Sequence, residues 1–78
     1  MKPIVIISTY PNKKSITKIA NELVQNKIVA CVNITKISSV YSWKGKIENT
    51  SEYLALFKTT QKNKKHLKEK IKSTHPYK

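Results

Sequence analysis

Arginine and aspartate are absent from this 78-residue chain: all 16 basic side chains are lysine, and the four acidic ones are glutamate. Without the guanidinium fork that grips guanine edges and phosphates in pairs, sequence-specific DNA recognition is disfavoured. A single cysteine, Cys31, excludes an internal disulfide and suits a reducing compartment. Long apolar runs are missing too. The stretch from Ile4 to Ile7 is far too short for a membrane span or a signal-peptide core. A cytoplasmic protein with no membrane association is the expectation. With no aspartate, no second histidine beside the first and no Ser/His/acid arrangement, no catalytic set emerges, so the chain reads as a non-enzyme. Two glycosylation-type triplets, at Asn33 and Asn49, carry no chemistry in a protein that is not secreted.

What the chain does have is positive charge, +12 at neutral pH. Such a balance points to an acidic partner, although a uniform lysine bias with abundant Ile and Asn is also what an AT-rich genome yields. A chain of this size buries only ~60 to 65% of the surface that it exposes when unfolded. With no disulfide available, oligomerisation is the expected support.

Read along the chain, KPIVIIST is a β-branched run bounded by Pro3 and the Tyr10-Pro11 step, expected to be a central strand buried on both faces. Ile16, Ile19, Ala20, Leu23, Val24 and Ile28 then recur at three and four residues, the stripe of a first helix that Asn12 or Ser15 can cap. VACVNIT resumes β-type residues. From there to Thr59 the pattern predicts a long two-stranded hairpin with its turn at Asn49 to Ser51, which leaves Gly45 inside the first arm as a bulge or close approach. Leu67 and Ile71 mark a second, narrow-striped helix crowded by lysines, with Pro76 as its stop signal. The order β-α-β-β-α is the ferredoxin-like α+β pattern without its final strand. It implies parallel pairing of the first strand across the first helix, and an uncovered edge on that strand. Residues 1–78 are therefore expected to form a single domain, truncated at its C-terminus.

Four stretches in this order, TYPN at the start of the first helix, ACVNI at 30–34, YSWKGKIE at 41–48 followed by FKT at 57–59, and HPY at 75–77, resemble the divalent-cation tolerance protein family CutA. They span nearly the whole chain. The resemblance implies a homotrimer of ferredoxin-like subunits, similar in build to PII signalling proteins, with the hairpins forming the subunit contacts. The function that it implies is non-enzymatic tolerance of or response to divalent metal, copper first. The alternative is a PII-like small-ligand sensor or scaffold that uses clefts between subunits.

Candidate site residues follow from both sources. Tyr41 and Trp43 read as interface anchors rather than private core, because aromatics with a polar tip favour such places. Lys44, Lys46 and Lys58 could line a basic cleft for an anionic small molecule, or simply solubilise strand edges. Cys31 and His75 are the candidate metal ligands, for copper or another divalent cation, and no cofactor is required for folding. The competing reading for Cys31 is a small buried hydrophobe, and for His75 a helix-end cap. By the resemblance, copper contacts come from a first-strand cysteine and from histidines at HPY. Ser8 stands at the cysteine position and Thr74 where some members carry a second histidine, so only His75 carries over. His66 reads as a solvated helix residue. Glu48 and Glu52, expected to flank the hairpin turn, have no pocket to make them an acid/base pair. The expected partners are further copies of the chain and metal ions; nucleic acid is disfavoured.

Overall fold

The chain is described from a computed structural model that covers residues 2–74. Strand β1, Pro3–Tyr10, begins with proline at the position where a missing N–H costs no ladder bond. The Pro11 step breaks the strand, and helix α1, Lys13–Gln25, starts at Asn12, whose side chain accepts from the Ser15 N–H at 2.8 Å. Ser15 returns a bond from its hydroxyl to the Asn12 carbonyl at 3.0 Å. Of the two expected caps, Asn12 is the one used.

At its C-terminal end α1 closes without glycine. Lys27 takes the left-handed conformation, φ 59°, and donates to the Val24 carbonyl, while Ile28 donates to Leu23, both at 3.0 Å. These are the two bonds of a Schellman cap, and Ile28 packs with Leu23 in the core as that cap's apolar contact. Ile28, expected on the helix stripe, is thus buried just beyond the helix. Val24, also expected on the stripe, is exposed.

Strands β2, Cys31–Trp43, and β3, Lys46–Thr60, form the long hairpin, but its turn is not at Asn49 to Ser51. Trp43 pairs with Lys46 across Lys44 and Gly45, both with positive φ (51° and 76°). Such a two-residue connection is a type I′ turn, whose twist matches that of the strands and whose second position favours the residue without a Cβ. The chain's one glycine was the turn signal. Asn49, Thr50 and Ser51 lie within β3, opposite Val40, Ser39 and Ser38.

The sheet order is β1-β3-β2, with both pairings antiparallel. A second correction follows: β1 is an edge strand, not the central one, and Val5 and Ile7 are 55% and 63% exposed. The expected parallel pairing across α1 is not made: β1 and β2 run in the same direction, but β3 is inserted between them, the split β-α-β arrangement. After a 3-10 turn at Gln61–Asn63, helix α2, Lys64–Thr74, buries Leu67 fully and Ile71 in part. Both helices cover one face of the sheet, where Tyr10, Ala55 and Phe57 meet Ile16, Ile19, Leu23 and Leu67. Tyr10 and Phe57 make an edge-to-face pair with centroids 6.5 Å apart. The buried Thr59 hydroxyl donates to the Ile28 carbonyl at 2.6 Å, tying β3 to the end of α1.

Candidate functional site

Strand alternation sends half of each strand's side chains away from the helices. On that open face lie Val5 and Ile7 of β1, Leu54 and Leu56 of β3, and Ile37, Tyr41 and Trp43 of β2, in a register fixed by the backbone pairing. From Lys46 to Glu52, before Tyr53, β3 pairs only with β2, so the hairpin continues as an arm past the end of β1. Trp43 is 59% exposed, and Tyr41, Val40 and Ile47 are exposed as well. An apolar surface of this extent is costly to leave in water. Tyr41 and Trp43 are therefore not private core.

The expected site residues fall into two groups at opposite ends of the sheet. At the arm's tip, Lys44 sits with its Nζ 5.8 Å from the Trp43 ring centroid, a cation–π contact across the turn. Lys46 is the cross-strand partner of Trp43, and Tyr41 faces Glu48. At the base, Lys58 is flanked in register by Val5 on one side and Cys31 on the other. Twelve residue steps along β2 separate Cys31 from Trp43, about 40 Å of extended chain. The two groups share no cleft within one chain.

Cys31 is exposed, which corrects the reading of it as a small buried hydrophobe. Its Sγ donates a long, weak hydrogen bond to the Asn33 side-chain oxygen at 3.7 Å. Among the described residues no three of His, Cys, Asp and Glu come together as a metal cage. His75 lies outside the described residues. Ser8 projects to the helix-covered face, where it hydrogen-bonds with Tyr10. Burial pushes the Tyr10 phenol above its ordinary range, and the Ser8 bond pulls it partly back. His66 is exposed on α2, as expected.

Glu48 and Glu52 do not flank the turn. Both stand in β3 on the open face, four residues and about 13 Å apart, opposite Tyr41 and Ile37. That spacing excludes a shared-proton pair. At the other end lies an open, mainly apolar hollow of about 1010 Å³ beside β1 and the end of α1, with no counterpart among the expectations from sequence. Val5, Val24, Ile28 and Val29 contribute to its wall, with Lys27, Lys58 and Lys62 at its margin. It forms where α1's Schellman turn and the start of β2 meet, a junction that periodicity does not report.

The comparisons with known proteins fit this geometry. The family model described as CutA1 divalent ion tolerance protein matches residues 4–78. The divalent-cation tolerance protein CutA of Thermotoga maritima is 39% identical over 74 residues, 95% of this chain and 73% of the relative. The crystal structure of the divalent ion tolerance protein CutA1 from Ehrlichia chaffeensis superposes with a TM-score of 0.92 at 36% identity. That match covers 97% of this chain and 72% of the other. The corresponding protein of Thermus thermophilus gives 0.84 at 38% identity, over 99% of this chain and 75% of its own. The family takes its name from tolerance of divalent ions and not from a reaction. Sequence, sheet order and hairpin agree: this chain belongs to the CutA1 divalent ion tolerance family.

Proposed function

We propose that the chain acts as a homotrimeric, non-enzymatic CutA protein of the cytoplasm whose association with divalent cations is with copper first. The observation that carries the reading is the open sheet face with its bare arm, where Trp43 and Tyr41 extend an apolar surface that none of the described residues covers. Self-association buries that surface without any further component. It also offers the one route by which the Trp43–Lys44–Lys46 tip of one copy meets the Cys31–Lys58 base of another, ~40 Å away within a single chain. Copper would be held by Cys31 and His75 from more than one copy, since the donors described in one chain are too few. The exposed free thiol of Cys31 is in keeping with a reducing compartment.

Light scattering tests the assembly. The chain is expected to run at three times its 9.0 kDa mass. The double substitution Tyr41→Ala with Trp43→Ala should return it towards the single-chain mass while changing the stability of dilute chains by no more than ~0.5 kcal/mol. A single-chain mass for the unsubstituted protein would overturn the homotrimer. Titration with copper(II) tests the metal: Cys31→Ala and His75→Ala should each weaken binding by about tenfold or more. Unchanged affinity on losing both would remove the direct copper site from these residues.

A further inference from the structure

The fold sorts charge by layer. From residue 13 to 27 and from 62 to 72, the helical layer carries ten lysines against Glu22 and Glu69, a net of +8. The hairpin, residues 31–60, carries four lysines against Glu48 and Glu52, a net of +2. On α2 the apolar stripe of Leu67 and Ile71 is turned to the sheet, so Lys65, Lys68 and Lys72, at spacings of three and four residues, stand together on its exposed flank. Successive steps along that flank rise ~4.5 and ~6 Å. Flexible ammonium side chains at such intervals can follow a row of phosphates. Glu69 is the one carboxylate between them.

We propose that the helical layer, with α2 at its centre, binds nucleic-acid duplex through the phosphate backbone without regard to base sequence. The chemistry of the surface selects this class. No arginine is present to read base edges. Of the aromatics of the packed half, Tyr10 and Phe57 are buried beneath the helices and Tyr53 is packed against the same core, so they give no open platform for stacking single-stranded bases. An anionic membrane fits less well, because a surface-bound helix inserts apolar side chains, and Leu67 is committed to the core. Val24, at the end of α1, is the one large apolar residue of the helices that stands exposed. Sequence composition alone could not reach this reading, since lysine bias says nothing of where the charges lie. The binding face is opposite the open sheet face, so the proposal does not depend on self-association or on metal.

The test is fluorescence anisotropy with a labelled mixed-sequence DNA duplex of about 24 base pairs, titrated between ~50 and ~200 mM NaCl. The expected result is an affinity that falls linearly on logarithmic axes, by about 0.9 per phosphate contacted, and that is equal for a shuffled sequence. The combined variant Lys65→Gln, Lys68→Gln, Lys72→Gln keeps good helix formers at all three positions. It should bind ~10-fold or more weakly at ~50 mM salt, with a slope shallower by about 2 to 3. The exposed hairpin variant Lys36→Gln, outside the candidate cleft and tip, should stay within about twofold. Unchanged circular dichroism in both variants makes the comparison one of surface charge. An absence of duplex binding at ~50 mM salt would overturn the proposal. Equal weakening by the two variants would do so as well, since net charge would then be the cause. Binding to phosphatidylserine vesicles in preference to the duplex would replace nucleic acid with membrane.

Discussion

One strand of this protein lives in two environments. From Tyr53 to Lys58, β3 is paired on both sides, and Ala55, Phe57 and the adjoining Thr59 are buried beneath the helices. From Lys46 to Glu52 it pairs only with β2, and Ile47 is 69% exposed. Hydrogen bonding is nearly as regular in the arm as in the base, so backbone pairing does not distinguish them. What distinguishes them is cover. A two-stranded ribbon is marginal in water by itself, and an arm that carries Val40, Tyr41, Trp43 and Ile47 in the open draws its stability from the packed half behind it or from a neighbour.

The strongest way to break the comparison is at Phe57, which is fully buried on the central strand beneath the helices. Phe57→Ala should cost ~3–5 kcal/mol, enough to unfold a domain of this size, as urea denaturation followed by circular dichroism would show. A loss below ~1 kcal/mol would mean that the base is not the part that holds the fold. At the arm's end, Gly45→Ala places a Cβ on a residue at φ 76°, with no atom close enough to clash. The cost is then purely conformational, about 1–2 kcal/mol, and should appear first as faster amide exchange at Trp43 and Lys46. Stability without change would show that the turn relaxes to another type.

The smallest expected effect sharpens the base alone. Because burial raises the Tyr10 phenol above its unfolded value near ~10, the neutral phenol stabilises the fold fully below that pH. The contribution fades as pH rises, first through the unfolded and then through the folded value. Tyr10→Phe, which cannot ionise, should lose less stability between about pH 9 and 11 than the unsubstituted chain in paired melts. Parallel loss in both proteins would place the phenol in an environment open to water.

The elements of the fold were legible where periodicity is a local property. The stripe of α1 was readable because Ile16, Ile19, Ala20 and Leu23 share one face, and the Asn12 cap because its partner is three residues away. The place of β1 was not. A run of Ile and Val looks the same whether its second face meets helices, a neighbouring chain or water, and Val5 and Ile7 carry no mark of which. The hairpin turn was misplaced for a different reason: Asn-Thr-Ser is a frequent turn composition, whereas Lys44-Gly45 specifies a particular turn whose left-handed dihedrals outweigh it. Of the site residues, exposure of Trp43 followed from the hairpin's length. The pairing of Cys31 with Lys58 did not, because it depends on the register and therefore on the true position of the turn.

The order β1-β3-β2 also sets a schedule for synthesis. β3 is the last of the three strands to be made and the only one that touches both others. Pro3 must wait for Thr60, a partner 57 residues further along, before it has a ladder. While a ribosome is still extending β3, β1 and β2 have no mate, and α1 has half a sheet to lie on. Such separated contacts slow folding and keep strand edges open to other chains in the meantime. The nascent protein is therefore most vulnerable to misassembly just before its central strand is released, and the local β2–β3 hairpin, closed by a two-residue turn, is the first piece that can form to shorten that interval.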